Sequence, residues 1–251
     1  MSDRNLSSKD DKPLALSPQS EGIRKMHKGN PPDFSDPNSL VTFIIVEADG
    51  DGTKKTETKF TVHKEVACYH SPVFNAAFNS DFIEGQTQTY RLEDTTTRAF
   101  RLLVQWLYSQ KVQIRQLDSD CVYDSMIFTP ETLALVELWV LADRISIAKL
   151  QNHALGLIDQ LPRRHNRIST YPLGYIYTHT SSGSLLRKYF VSIFADGFPS
   201  TWFTARSNEF PKEMLVDMVI YHAEQRRGLV SVDLSKFLIP IEQNAKYSRF
   251  P

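Results

Sequence analysis

The chain has 251 residues, 41% of them hydrophobic, and its 29 basic and 29 acidic side chains leave a formal net charge of zero. That content suffices for one sizeable core, or for a compact domain with a smaller helical unit, and the balanced charge excludes a global electrostatic drive toward nucleic acid or an anionic membrane. Two cysteines, Cys68 and Cys121, exclude a disulfide framework or a zinc-ribbon module and favour a reducing, intracellular compartment.

Residues 1–37 are polar and rich in Ser, Asp, Lys and Pro, with Pro31, Pro32 and Pro37 interrupting any helix. Such a segment buries too little apolar surface to offset its ordering entropy, so a disordered tail is expected. It holds no apolar run of signal-peptide length. No later stretch reaches the roughly 18 uninterrupted apolar residues of a membrane span, so no membrane association is expected.

Order is expected to start at Val41–Ala48, a β-branched run apolar on both faces that suits a well-covered strand. A Gly/Asp/Lys turn follows, and then Thr58–His63 alternates, with Phe60 and Val62 on one face. Together these predict a hairpin. Glu47, Asp49, Asp51 and Gly52 match the opening of a calcium loop, but the twelfth position is Thr58 and the flanks read as strands, so a hairpin tip is preferred.

Lys64–His70 reads as a short helix with Val66 and Ala67 inward. A second begins at Ser71 as N-cap with Pro72 at the first helical position. Thr87–Asp94 reads as a third strand, and Asp94 or Thr95 as the cap of a helix whose stripe is Ala99, Phe100, Leu103, Trp106 and Leu107. Lys111–Phe128 reads as an insertion around a short strand at Val112–Ile114. Thr129 and Pro130 signal the next helix, with Leu135, Leu138, Trp139 and Ala142 inward. The helix after it carries Leu150, Ala154, Leu157, Ile158 and Leu161 inward and is expected to stop at Pro162.

Two later helices are expected. One places Leu185, Leu186, Phe190, Ile193 and Phe194 at helical spacing; the other starts at Pro211 and places Met214, Leu215, Met218, Val219 and Tyr221 likewise. Residues 228–251 read as a tail. No internal repeat is present, which argues against solenoids and propellers.

Catalytic signals are absent. There is no Gly-rich phosphate loop, with Gly at 10 of 251 residues, and no G-x-S-x-G elbow or H-E-x-x-H pair. The one cluster worth weighing is His63, Cys68 and His70. Its H-x₄-C-x-H spacing lacks a local fourth ligand for zinc. Residues two apart on a helix point to nearly opposite sides, so Cys68 and His70 do not easily share a metal or act as nucleophile and base. The preferred reading makes Cys68 a small packing hydrophobe and has His63 close a hydrogen bond at the strand–helix junction. The basic stretch Pro162–Arg167 reads as a solvated linker.

The stretch Phe60–Phe74, F-T-V-H-K-E-V-A-C-Y-H-S-P-V-F, resembles the signature of BTB/POZ domains. Phe82–Gly85 is similar to the family's exposed loop before its third strand, Tyr90–Asp94 to that strand, Ala99–Gln110 to the helix ending in aromatic-x-Tyr, and Leu138–Leu150 to a later helix pair. The resemblance covers residues 40–162 and is also similar to BTB proteins of filamentous fungi. It departs from the family at Ser39-Leu40, where many members carry Ser-Asp, and in lacking an apolar helix before the first strand.

The resemblance implies an α+β fold, the BTB/POZ arrangement of a three-stranded sheet with a cluster of about five helices, followed by an all-α extension. The expected organisation is a tail over 1–37, the domain over 38–162, a helical extension over 163–227 and a second tail over 228–251. The departures imply a short-form domain that is monomeric or only weakly self-associating.

The implied function is a protein-interaction adaptor and not an enzyme, with no cofactor and no metal. Its partners would be proteins, a cullin-type ubiquitin-ligase scaffold among them, with a transcription-associated scaffold that does not touch DNA as the alternative. Phe82, and Tyr108 as the match to the tyrosine on the partner face of cullin-binding members, are the implied binding residues. The competing reading keeps Tyr108 half-buried and tucks Phe82 under its neighbours.

Overall fold

Strand β1, Leu40–Ala48, is the centre of a three-stranded sheet in the computed structural model, which describes residues 31–48 and 54–225. Strand β2, Lys55–His63, lies antiparallel on one side, in register from Leu40↔His63 to Ala48↔Lys55. Strand β3, Thr89–Leu92, lies parallel on the other, from Thr42↔Thr89 to Ile45↔Leu92. Alternation along β1 sends Val41, Phe43 and Ile45 into the core. Thr42 and Ile44 on the other face are only half-buried, so the strand is less fully covered than expected. Pairing with Ala48 starts β2 at Lys55, three residues before the predicted strand. The twelfth position of the suggested calcium loop, Thr58, is therefore mid-strand, and Asp49, Asp51 and Gly52 lie outside the described residues.

Helices α1, Lys64–His70, and α2, Pro72–Phe78, follow β2 directly. Ser71 caps α2 as predicted: its buried hydroxyl accepts from the Phe74 amide at 3.1 Å and donates to the Ile145 carbonyl at 2.7 Å. That second bond fixes α2 to the end of α5, Ser125–Arg144. The residues before β3, expected as loop, form a short helix α3, Ile83–Thr87.

Helix α4, Thr97–Ser109, buries all five predicted stripe residues. Its cap is Thr96, which accepts from the Ala99 amide, and not Asp94 or Thr95. Asp94 instead pairs with Arg144 at 3.1 Å, and Thr95 is buried.

No strand forms at Val112–Ile114. These residues are pinned by side chains: Gln105 accepts from the Gln113 amide, and Glu131 accepts from the Arg115 and Gln116 amides at 2.8 and 3.0 Å. The Gln113 amide is thereby taken from any strand ladder.

The prolines expected to begin and end helices are overridden by tertiary contacts. Helix α5 starts four residues before Thr129, at an Asp124 cap that accepts from the Met126 amide, and runs through Pro130. Phe128 is already buried, and the Thr132 hydroxyl bonds its carbonyl. Helix α6, Ala148–His165, runs through Pro162. Its last turn is tied down by His165 to the Gln116 carbonyl at 2.8 Å and by Arg164 to the Asp118 carbonyl. One lost backbone bond at each proline is offset by those anchors.

Helices α7, Leu173–His179, α8, Leu185–Gly197, α9, Ser200–Ala205, and α10, Lys212–Gln225, complete the described chain. The predicted stripes of α8 and α10 hold in part. Leu186, Phe190 and Phe194 turn inward with Val191, but Leu185 is exposed. Met214 and Met218 turn inward, but Leu215 and Val219 do not. Buried Arg187 in α8 closes the C-terminal end of α7, donating to the Tyr177 carbonyl at 2.9 Å and the Thr180 hydroxyl at 2.9 Å. A cation there is favoured by the helix dipole. Tyr177 in turn donates to Asp217 of α10 at 2.8 Å.

One buried cluster runs from Val41 to Met218, so the later helices share a core with the sheet and α1–α6. Helix α5 is its spine, buried without interruption from Thr132 to Ala142. Residues 1–30 of the expected N-terminal tail and the tail over 228–251 lie outside the described residues.

Candidate interaction surface

The cluster that first suggests chemistry does not converge. The buried side of α1 carries Cys68, whose thiol contacts the Phe74 carbonyl and the Asn79 amide at 3.9 Å. Burial pushes this thiol's pKa up, more than nearby Lys64 lowers it, which keeps it protonated and non-nucleophilic at neutral pH. His70 faces away, edge-on to Trp106 at 5.2 Å and 3.3 Å from Gln110. Burial, and then Lys149, depress its pKa. His63 accepts or donates at the Tyr108 hydroxyl, 2.8 Å away. Among the described residues no group of three His, Cys, Asp or Glu side chains is placed to hold a metal.

Phe82 stands at the N-cap of α3, with 74% of its surface exposed, and Ile83 beside it is 64% exposed. The segment is short but stiff. The Ser80 hydroxyl donates to the Ala77 carbonyl at 2.8 Å and accepts from the Phe82 amide at 3.3 Å. The Gln86 side chain donates to the Asp81 carbonyl at 2.7 Å. Gln88, in the left-handed region at φ 52°, reaches back to the Phe78 carbonyl at 3.1 Å. Gly85 allows the closest approach: a Cβ there would sit 1.8 Å from the Ser80 carbonyl oxygen. This packing presents two adjacent apolar side chains on a fixed support, the low-entropy form of an interface anchor.

Tyr108 lies on the last turn of α4 and is 46% exposed. Its hydroxyl accepts from the His63 amide at 3.0 Å as well as contacting the His63 ring. It therefore bridges α4 to the β2–α1 junction, and its ring edge continues through His63 to exposed Phe34, centroids 5.9 and 5.2 Å apart. Phe82 and Tyr108 sit on different elements, and among the described residues no hydrogen bond or ring contact joins them. Sequence reasoning singled out neither Ile83 nor Phe34. Ile83 carried a signal only through its place beside Phe82, and Phe34 fell in the polar lead-in.

The ionic network with a buried member among the described residues is internal. Glu137 of α5, 2% exposed, accepts from the Thr96 hydroxyl at 2.6 Å and from Arg98 Nε at 2.6 Å. It ties the N-terminus of α4 to the core helix and offers no acid–base pair to a substrate.

The family model of the BTB/POZ domain matches residues 35–141. No curated protein matches the chain. The matched segment holds the whole sheet, α1–α4 and nearly all of α5, hence every candidate binding residue named from the sequence. BTB/POZ domains are interaction modules that mediate protein–protein contact and self-association. The sheet order and the strand–helix–helix junction agree with the matched segment, so residues 35–141 form a BTB/POZ domain.

Proposed function

We propose that the chain is an intracellular interaction adaptor that uses the exposed α2–α3 corner and the Tyr108 edge to engage a protein scaffold of the cullin type. The observation that carries this reading is the pair Phe82 and Ile83, both largely exposed on a support fixed by Gly85 and Ser80. Apolar anchors held rigid before binding are what interface hot spots require. The half-exposed ring of Tyr108 adds a second contact without a free hydroxyl to satisfy. The domain boundaries proposed are 38–162 for the BTB/POZ unit and 163–227 for the helical extension, with weak self-association at most.

Affinity capture of the tagged full chain with mass spectrometry tests this. Recovery of a cullin and its ring-finger subunit, lost in Phe82→Ala, is expected. Recovery of corepressor-type partners alone would move the function to the transcription-associated scaffold.

A further inference from the structure

The basic stretch Arg163–Arg167 is spent unevenly by the fold. Arg163 pairs with Asp159 at 2.7 Å, Arg164 donates to the Asp118 carbonyl and His165 holds Gln116. Arg167 is left over. Asn166, at φ 49°, ends α6 in the left-handed region and turns the chain away, and Arg167 has no acidic partner among the described residues. It lies over the face of Tyr123, 5.9 Å from the ring centroid.

Arg167 lines a cleft between the α6–α7 connection and α9. One cavity of about 360 Å³ is walled by Ile168, Ile193, Phe198 and Trp202, and its charged lining residues among the described residues are Arg167 and Arg206. A second, of about 540 Å³, continues past the same two arginines toward Tyr123 and Tyr171. The walls are built in advance. Phe198 stacks on Trp202 at 4.4 Å, Trp202 on Phe194 at 5.7 Å, and Arg206 lies over the Trp202 ring at 5.1 Å. Glu209 holds Arg206 at 3.1 Å and also accepts from Thr170, tying the two rims together. The cleft thus has apolar and aromatic side chains at its floor and Arg167, Arg206 and Glu209 at its rim, where Glu209 compensates Arg206 and leaves Arg167 uncompensated among the described residues.

We infer that this cleft is a second protein-binding site, one that takes an extended acidic peptide segment with an apolar side chain next to a carboxylate. The apolar side chain would cover Ile193 and Trp202, and the carboxylate would meet Arg167 and Arg206. A planar guanidinium suits a carboxylate in two-point contact. The inference rests on the adaptor reading: the α2–α3 corner would hold the scaffold and this cleft the client.

The test uses the purified full chain and a fluorescein-labelled decapeptide in which glutamate and leucine alternate, read by fluorescence anisotropy. Saturable binding is expected, weakened about tenfold when leucine is replaced by serine and abolished when glutamate is replaced by lysine. Arg167→Glu, at an exposed position with no hydrogen bond to lose, should weaken it about tenfold or more with an unchanged urea midpoint. Equal binding by Arg167→Glu, no binding of the glutamate–leucine peptide, or tighter binding of an oligothymidylate would overturn the inference. Scaffold capture by Arg167→Glu should stay intact. Its retention alongside lost peptide binding separates the two sites, and failed capture by wild type with intact peptide binding would sink the scaffold reading alone.

Discussion

Phe82→Ala should separate binding from folding, because the ring is largely exposed. A phenylalanine side chain offers about 150–250 Å² for burial. With 74% of Phe82 exposed, on the order of 110–185 Å² remains for a partner to cover. At about 25 cal/mol per Å², full coverage is worth about 3–4.5 kcal/mol as an upper bound. The alanine methyl and incomplete coverage bring the expected loss to about 2–3 kcal/mol, which weakens Kd about 30- to 150-fold. Because the ring makes no ring contact with its neighbours and the local bonds run through the backbone, stability should change by no more than about 0.5 kcal/mol. Titration calorimetry with the captured partner gives the first number and urea denaturation the second. A Kd within about twofold of wild type, with folding unchanged, would show that the α2–α3 corner is not the contact surface.

Gly85→Ala should act on the same surface indirectly: its Cβ meets a backbone oxygen, so α3 must shift, at a cost of about 1–3 kcal/mol, and partner binding should fall with Phe82 still present. Tyr108→Phe keeps the ring edge but removes the acceptor for the His63 amide; the unfolding free energy from urea denaturation should fall by about 1–2 kcal/mol, a loss that Tyr108→Ala would confuse with lost binding. Arg98→Met leaves the buried Glu137 carboxylate with only the Thr96 hydroxyl, and should cost about 2–3 kcal/mol, held below the fully buried case because Arg98 is partly exposed; no change in urea midpoint would remove the network from the stability argument. His70 has a folded pKa below its ordinary 6.5, so the unfolded chain binds its proton more tightly. Its contribution is therefore complete above pH 6.5 and is lost as pH falls through the depressed folded value; His70→Gln should flatten that part of the fall in Tm between about pH 7 and 5, and an unaltered profile would refute it.

Much of the fold was legible because its signals are local. The β-branched run of β1, the Ser71-Pro72 start of α2 and the α4 stripe each state one element within a few residues, and each element stands in the structure. The failures come where a distant partner decides. Pro130 and Pro162 read as helix punctuation, but Phe128 is buried under the core, and His165 and Arg164 reach residues far away in sequence, so both helices run past their prolines. Thr96 rather than Thr95 caps α4, and it is the Thr96 hydroxyl that also reaches Glu137. Val112–Ile114 has strand composition but no strand partner, and side chains of Gln105 and Glu131 instead hold the Gln113 and Arg115 amides.

The candidate surface was legible in a different way. Phe82 could be named because its motif was recognisable, while Ile83 could not, since exposure of an apolar residue is a property of the folded surface and not of its neighbours in sequence. Tyr108 shows the converse. Motif alone makes it a contact residue, and only the structure shows its hydroxyl already committed to His63. The histidine that first suggested a metal or a base thus fixes the orientation of a tyrosine at the proposed interface. The same logic governs the basic stretch. Sequence treats Arg163, Arg164 and Arg167 alike, but Asp159 and the Asp118 carbonyl consume two of them and leave the third at the rim of an aromatic cleft. Which cation is free is decided by packing, and a free cation beside an apolar floor is what a partner can recognise.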